Sequence, residues 1–402
     1  MTDVELRTSG LLDTALRVDA RARARGPITG RDYDVDAYPV HARSAKGSRI
    51  RDDSGREYLD FLLGYGPIVL GHNDDRVNNA VIRCLVDGGA NCMAPLWPPE
   101  QVELCDLLCE VVPNAEAAFL LKTGSDATSA AVRLARIHTG REVVLRAGYN
   151  GWHDWSAPRP VGIPESVRSL TREFDFDDLH NLEELLSDDE GRVAAVMTTP
   201  FQESRTTSAH LAAIRDAAHR HGALFILDEM RSGFRLALGG AQEYFGVDAD
   251  MATFSKAMAN GFAISALTGR AEVLDGLSRT KISSTFFASR PEMAAAITTV
   301  RLLRDTDALE TIRIRGEQLL DGMRPIFANH RDVVSVHGYG PMPALVFAPE
   351  PAARAAADRF VEACAARGVL VHPNHQWFVS ESHTSKDIDH ALEVFDAAAA
   401  AL

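Results

Sequence analysis

Short apolar runs alternate with longer amphipathic segments along much of this 402-residue chain, and this alternation most constrains the fold. The predicted strands are Ala118–Leu121, Glu142–Arg146, Arg192–Thr198, Ala223–Leu227 and Met251–Phe254. The predicted helices are Val77–Val86, Pro99–Val111, Ser125–His138 and Ser208–His221. Such alternation predicts an α/β fold with a mostly parallel sheet covered by helices on both faces. In sheets of this kind, chemistry collects at the carboxyl ends of the strands.

The pattern changes at about Arg301, where long helices surround predicted strands within Val333–Val346 and Val369–Val371. We therefore expect a large domain over residues 61–300 and a smaller α+β domain over residues 301–402. Residues 1–60 are expected to form an N-terminal arm and part of the small domain. A hairpin is predicted there, with its turn at Asp53-Ser54-Gly55.

The formal net charge of −14 argues against nucleic acid or an anionic membrane as the main partner. The first residues, MTDVELRTSG, lack the pattern of a signal peptide, and no apolar run approaches the ~18 residues of a membrane span. Five scattered cysteines without a CxxC motif disfavour a zinc site and fit a reducing compartment. We therefore expect a cytoplasmic protein without a metal site.

The chain has only five lysines, so the candidates for an imine-forming residue can be enumerated. Lys46, Lys281 and Lys386 lie in polar stretches that predict solvated amines. Lys122 and Lys256 each follow a predicted strand. Attack on an aldehyde requires a neutral amine, which burial among apolar neighbours supplies by lowering the lysine pKa. Lys256 follows an apolar strand and precedes a loop of small residues, and it fits this requirement better.

A second group of interest follows the apolar run Leu224–Leu227, where Asp228 and Glu229 stand at the predicted strand end. A buried carboxylate there needs a partner. A protonated pyridine nitrogen is one partner that uses the negative charge chemically. A metal ion, or a salt bridge to Arg231 or Arg235, would satisfy the same charge, and the residues alone leave these alternatives open.

A third group of interest opens the predicted helix at residue 125, where Thr123, Gly124 and Ser125 form a turn between strand and helix. Backbone N–H groups and the helix dipole at such a turn bind anions, although ordinary capping by Thr123 or Ser125 explains the same residues. An aromatic segment follows at Tyr149-Asn150-Gly151-Trp152-His153. A phosphate pocket, an aromatic plate, a buried acid and a lysine are the four contacts that pyridoxal phosphate (PLP) requires.

From about Tyr38 to its C-terminus, the chain resembles the class III, PLP-dependent aminotransferases of fold type I. It is most similar to the branch of glutamate-1-semialdehyde 2,1-aminomutase. The resemblance rests on the order of the motifs DDSGREYLDF, GPIVLGHND, TGSDATSAAVRLAR, YNGWHD, GALFILDEMRSGFR, FSKAMANGFAISALTGR, ISSTF and SESHTSKDID. It implies that residues 61–300 bind PLP and that an amino group moves between an amino acid or amine donor and a keto or aldehyde acceptor.

The resemblance also implies roles for single residues. Lys256 would form the Schiff base with PLP, and Asp228 would contact the pyridine nitrogen. Gly124 and Ser125 would hold the phosphate. Thr285, in ISSTF, matches a threonine that reaches the phosphate of the neighbouring subunit, which implies a homodimer with active sites at the subunit interface.

Further implied contacts lie around the cofactor ring and the substrate. Tyr149 would stack on one face of the ring, with Met230 behind the other face, where the family more often has valine. Tyr65 and Trp152 are candidates for the substrate pocket, and Arg31 is a candidate for binding a substrate carboxylate. Trp97 could also wall an apolar pocket.

The chain departs from the family pattern at several positions. Asn150 replaces the usual histidine, and Thr199-Pro200 replaces a Glu-Pro dipeptide, for which Glu203 is a possible substitute. Ala288-Ser289-Arg290-Pro291 replaces the family's Gly-Asn-Pro after the threonine. These departures make the cofactor assignment safer than any assignment of substrate.

The sequence bears on three alternative functions. An aminomutase or amino-acid racemase would use the same Lys256 and Asp228, so the residues leave that alternative open. A catalytically silent scaffold protein is disfavoured because the chain keeps the lysine. A sugar-nucleotide aminotransferase is weakly disfavoured by the scarcity of lysine and by the negative charge.

Overall fold

The computed structural model describes residues 13–20, 41–87, 91–201, 206–373, 375–400 and 402. The chain divides into two compact units. One unit is Asp75–Leu309, and the other joins the described residues up to Asp74 with Glu310–Leu402. The helix Arg290–Asp305 spans the expected domain boundary at residue 300 and lies wholly in the first unit.

Strands are numbered along the described chain. They are β1 Ala42–Lys46, β2 Arg49–Asp52, β3 Glu57–Asp60, β4 Ala117–Leu121, β5 Val143–Ala147, β6 Thr171–Glu173, β7 Val193–Thr198, β8 Leu224–Asp228, β9 Met251–Phe254, β10 Ser265–Gly269, β11 Val334–Tyr339, β12 Met342–Phe347 and β13 Val369–Leu370.

The unit Asp75–Leu309 contains a seven-stranded sheet in the order β4-β10-β9-β8-β7-β5-β6. The pairs among β5, β6, β7, β8 and β9 are parallel, whereas β10 is antiparallel to both of its neighbours. Because β10 reverses the direction twice, β4 runs the same way as β9. The predicted mostly parallel sheet is therefore confirmed, and the carboxyl ends of β4, β5, β8 and β9 share one edge.

The helices of this unit are Asp75–Asp87, Pro99–Val111, Gly124–Thr139, Glu165–Arg168, Leu179–Asp188, Ser208–Arg220, Gly240–Phe245, Ala271–Leu274 and Arg290–Asp305. All residues of β5, β7, β8, β9 and β10 are buried, so both faces of the central sheet are covered. Helix Gly124–Thr139 packs small side chains such as Ala127, Ala131 and Ala135 against the sheet. Small side chains allow helix and strands to approach closely, which gives the site a rigid base.

Strands β6 and β10 were absent from the prediction. Strand β6 is three residues long, carries the polar sequence TRE and lies at the sheet edge. Strand β10 has the sequence SALTG, whose small and polar residues carry little β-propensity. Both strands form because their neighbours supply the pairing.

The second unit contains a sheet in the order β1-β2-β3-β13 and the antiparallel hairpin β11-β12. The antiparallel pairing of β2 with β3 around Asp53-Ser54-Gly55 confirms the predicted hairpin. The three long helices here are Ala308–Phe327, Pro351–Ala365 and Ser385–Ala399. Across the described residues of the whole chain, no helix combines the length and the apolar character that crossing a membrane requires.

Candidate active site

Four strand ends bring the candidate residues to one edge of the sheet. Asp228 is the last residue of β8, and Lys256 follows β9, which pairs with β8 in parallel. The helix that begins at Gly124 follows β4, and Asn150 lies just after β5. The sheet therefore collects residues that are far apart in the chain.

Asp228 is a buried acid held by two hydrogen bonds, and its side chain is almost inaccessible, with 2% of the residue exposed. The Asn150 amide Nδ2 donates to Oδ2 at 2.9 Å, and the Met230 backbone N–H donates to Oδ1 at 3.1 Å. Burial raises the pKa of Asp228, and the two hydrogen bonds oppose this shift in part. Within the described residues, no ion pair joins Asp228 to Arg231 or Arg235. The alternative in which a salt bridge satisfies the charge of this carboxylate is therefore not observed.

Lys256 is partly buried and stands in the left-handed backbone region, with φ of +43°. Strained conformations of this kind concentrate at functional sites. Burial, followed by the positive charge of Arg231, lowers the pKa of Lys256 to about 8, while the Asp228 carboxylate acts in the opposite direction. No hydrogen bond or ion pair engages Nζ in the part of the chain that the structure describes. The side chain therefore presents an amine that is readily deprotonated.

Lys122 is the other lysine at a strand end, and its surroundings differ. Its Nζ forms an ion pair with Glu292 Oε1 at 3.0 Å. This ion pair engages the amine with a carboxylate partner, which Lys256 Nζ lacks among the described residues. Lys281 and Lys386 are exposed, and Lys46 donates a surface hydrogen bond to the Asn73 carbonyl. This comparison favours Lys256 as the reactive amine.

Glu229, the neighbour of Asp228, serves a different purpose. Its carboxylate accepts hydrogen bonds from the Ser232 hydroxyl and from the backbone N–H groups of Ala241 at 2.9 Å and Gln242 at 3.0 Å. Burial raises the pKa of Glu229 to about 7 despite these bonds. Glu229 therefore anchors the start of the short helix Gly240–Phe245.

The helix Gly124–Thr139 begins with a capping box, in which Thr123 is the N-cap and exchanges hydrogen bonds with Asp126. Because Thr123 caps the helix, Ser125 is not needed for that role. The Ser125 hydroxyl accepts from the Trp152 backbone N–H at 3.3 Å. The N–H groups of Gly124 and Ser125 have no acceptor inside the helix, as in every first helical turn, and they favour a bound anion.

Gly124 also fits closely against Met230. A Cβ atom built on Gly124 would lie 2.8 Å from Met230 Sδ, closer than the two atoms can approach. A residue larger than glycine would therefore displace Met230. This contact joins the end of β4 to the end of β8.

The segment after β5 presents two aromatic side chains to solvent. Tyr149 is 62% exposed and Trp152 is 69% exposed. The Trp152 ring contacts His153 edge-on, with 5.0 Å between ring centroids. Asn150 lies between these aromatic residues in sequence, yet it is buried. Open aromatic surface beside buried polar groups is suited to a flat ligand.

The residues at this edge fit PLP. A buried carboxylate without an ion pair suits a protonated pyridine nitrogen, a partly buried amine suits an aldehyde, and a helix N-terminus suits a phosphate. Among the described residues, no group of three or more His, Cys, Asp and Glu side chains is arranged to hold a metal ion. The donor set is that of an organic cofactor with an aldehyde and a phosphate.

The family model "Aminotransferase class-III" matches residues 32–154 and 158–398 of this chain. The chain belongs to the class III aminotransferases. The 3-aminobutyryl-CoA aminotransferase of Cloacimonas acidaminovorans is 34% identical over 388 residues, which cover 93% of both chains. The glutamate-1-semialdehyde 2,1-aminomutase of Acetivibrio thermocellus is 30% identical and covers 94% of this chain and 92% of its own.

A solved structure of a PLP-bound protein has the same architecture. The FumI protein of Sphingopyxis sp. MTA144, described in its PLP internal aldimine form, superimposes with a TM-score of 0.88 at 30% identity. The superposition covers 98% of this chain and 96% of that chain. The predicted fold type I, the PLP-dependent transferase activity and the cofactor are thereby confirmed.

Three further candidates of this aminotransferase lie among the described residues, outside the strand ends themselves. Thr285 is exposed, and its carbonyl accepts a hydrogen bond from the Cys92 thiol at 3.0 Å. Tyr65 belongs to the other unit, where its ring contacts His372 and His375. Trp97 is 79% exposed. Arg31 and Glu203 lie outside the described residues.

The sequence identifies Asn150 only as a departure from the usual histidine and does not predict its contact. In the structure of this aminotransferase, its side-chain amide donates a hydrogen bond to Asp228. Thr128 was also missed, and its hydroxyl donates to the Asn150 carbonyl at 2.7 Å. A polar residue shortly after the fully buried strand β5 was the available signal.

Proposed function

We propose that Lys256 carries the PLP of this class III aminotransferase and that Asp228 contacts the pyridine nitrogen. One observation carries the proposal: a buried acid without an ion pair and an amine with a lowered pKa stand at neighbouring strand ends. Each group is costly to bury in its charged form. A cofactor that offers an aldehyde to one and a ring N–H to the other removes both costs.

When bound, PLP supplies an electron sink for the negative charge that develops at the substrate Cα. Asp228 keeps the proton on the pyridine nitrogen, because its carboxylate only accepts hydrogen bonds and favours a positive neighbour. With PLP bound, Lys256 Nζ would act as the base that takes the proton from the substrate Cα and as the acid that returns it. The reaction that these residues support is the transfer of an amino group from a donor amine to a keto or aldehyde acceptor.

We propose that Gly124 and Ser125 bind the phosphate, which the first helical turn and its dipole favour. Tyr149 would cover one face of the ring, and its large exposed surface supports that role. Met230, packed against Gly124, would support the other face.

We propose a homodimer in which Thr285 contacts the phosphate bound to the partner subunit. Exposed apolar side chains around the Thr285 segment support this arrangement, namely Leu96 at 66%, Trp97 at 79% and Phe286 at 63%. Their segments are joined, since Met93 N–H donates to the Ala288 carbonyl at 3.2 Å. Apolar surface of this kind is typical of an interface.

For the substrate, Trp152, Tyr65 and Arg31 remain the proposed contacts, with Arg31 binding a carboxylate. Substrates would be a small amino acid or amine and a carbonyl compound. The five cysteines, all of them free thiols, support the proposed cytoplasmic location.

The second candidate reaction is an isomerisation, which the similarity to an aminomutase favours. The two reactions differ in their need for an acceptor. The protein would be incubated with an amine from a panel of L-alanine, L-glutamate, β-alanine and glutamate-1-semialdehyde, without a keto acid. Isomerised product without loss of amine would identify the aminomutase, and conversion of the cofactor to its aminated form would identify the aminotransferase.

The assignment of Lys256 is tested by loading the protein with PLP, reducing it with borohydride and mapping the labelled peptide by mass spectrometry. We expect the label on Lys256, with none in Lys256→Ala and full labelling in the matched control Lys122→Ala. The initial labelling rate should rise with pH through about 8 and level off at higher pH, because the neutral amine is the form that attacks the aldehyde. A label on Lys122, or unchanged labelling of Lys256→Ala, would overturn the proposal.

A further inference from the structure

Asn150 is a buried polar side chain at a position where burial lowers the stability of the fold. The residue is 1% exposed, and its Oδ1 has no hydrogen-bond partner among the described residues. An unpaired buried acceptor reduces stability. Asn150 therefore contributes little to stability through its own hydrogen bonds, and its place calls for another explanation.

The single side-chain hydrogen bond of Asn150 is directed at Asp228, with Nδ2 lying 2.9 Å from Oδ2. The amide orientation follows from chemistry, because an ionised carboxylate only accepts and must face the NH₂ group. The Met230 N–H engages the other oxygen. Because each carboxylate oxygen has its own donor, the Asp228 side chain is held in one orientation.

The backbone of Asn150 is held by helix Gly124–Thr139. The buried hydroxyl of Thr128, a residue of that helix, donates to the backbone carbonyl of Asn150 at 2.7 Å. Gly151, the next residue, lies so close to this helix that a Cβ atom on it would be 2.6 Å from Ser125 Oγ. The segment 150–152 thus connects the start of the helix with the acid on β8.

We propose that Asn150 is a positioning residue, which orients Asp228 through an uncharged amide where the family more often has an ionisable histidine, and that Thr128 positions Asn150 in turn. This inference rests on the proposed role of Asp228. The other charged groups that face Asp228 are Lys256 and Arg231, with Glu229 next to it in the chain. Because the amide is neutral, it orients Asp228 without compensating its negative charge, which stays available to the ring nitrogen of the cofactor.

The test is a double-mutant cycle on the PLP-loaded enzyme, with turnover of the most active amine of the panel as the readout. Asn150→Ala should lower kcat/KM by about tenfold or more, as expected for losing a hydrogen bond to a charged group. In an Asp228→Asn background the same change should have less than about a twofold effect, because Asn150 acts through Asp228. Equal losses in both backgrounds would overturn the inference.

A second measurement does not depend on turnover. The visible absorption spectrum of the loaded enzyme should gain a pH transition in Asn150→His but not in Asn150→Ala, because histidine titrates and alanine does not. Identical pH profiles for wild type and Asn150→His would contradict the inference. Failure of the proposed function is distinct, because Asp228→Asn would then show wild-type turnover.

Two variants of Thr128 distinguish its proposed role in positioning Asn150 from a role in folding alone. Thr128→Val removes the hydroxyl at nearly constant volume, and Thr128→Ser retains it. We expect Thr128→Val to shift the visible spectrum in the same direction as Asn150→Ala, and Thr128→Ser to restore the wild-type spectrum. A spectrum unchanged in Thr128→Val, with only a lower free energy of unfolding, would assign Thr128 a structural role and contradict its part of the proposal.

Discussion

At the scale of single residues, two neighbouring acids differ because their partners differ. Asp228 accepts bonds from one amide and one backbone N–H, and it faces the strand edge where Lys256 stands. Glu229 is surrounded by donors from the start of a short helix. Burial raises the pKa of both carboxyl groups, so the pKa shift alone does not distinguish them. Their hydrogen-bond partners do.

We predict that Asp228→Asn still binds PLP but loses turnover by roughly 10²- to 10³-fold, the cost typical of removing one electrostatic contact at a reacting centre. Glu229→Ala should instead lower the free energy of unfolding by about 1–3 kcal/mol, since it leaves buried N–H groups unpaired. Steady-state kinetics and chemical denaturation separate the two effects. The assignment fails if the two variants exchange these phenotypes.

At the scale of elements, the junction between β4 and its helix was predictable from local chemistry. Thr123 and Gly140 are cap residues, and they fix both ends of helix Gly124–Thr139. The positions of Asp228 and Lys256 at strand ends were predictable for a similar reason, because a buried apolar strand precedes each of them, while their roles stay predictions. The link from Asn150 to Asp228 was not predictable, since it joins two strand ends that come together only in the folded sheet.

The Gly124 contact gives a prediction about this junction. Gly124→Ala should push Met230 aside and weaken PLP binding by about tenfold, equivalent to roughly 1.4 kcal/mol. In Met230→Val, whose side chain is shorter and lacks the sulfur, the same alanine should have little effect. Spectroscopic titration of the apoprotein with PLP measures both dissociation constants. Equal losses in the two backgrounds would show that the contact with Met230 is not the cause.

At the scale of the whole molecule, the Thr285 segment is held firmly although its apolar side chain Phe286 is exposed. Arg290 forms a paired contact with Glu100, with Nη2–Oε1 at 2.5 Å and Nε–Oε2 at 2.9 Å. The ion pair therefore fixes the segment that follows Thr285 to the helix Pro99–Val111. In the proposed homodimer, we expect this segment to meet the second copy without rearrangement.

Mixed dimers test whether Thr285 acts across the interface. Lys256→Ala and Thr285→Val would be co-expressed with different tags, and the mixed dimer purified and assayed at limiting PLP. If Thr285 serves the partner, one of the two sites keeps both native residues, and about half of the wild-type activity returns. If Thr285 serves its own subunit, every site carries one defect, and the mixed dimer stays as impaired as its parents.

The reversed strand β10 has a mechanical consequence for the amine. Lys256 lies on residues 255–264, which connect two neighbouring antiparallel strands, and the Ser255 hydroxyl ties this link to the Ile264 carbonyl at 2.7 Å. The other strand ends at this edge lead instead into long crossover connections. We expect this hydrogen-bonded link to hold the backbone of Lys256 in place during turnover, so that any opening and closing comes from the segments around it.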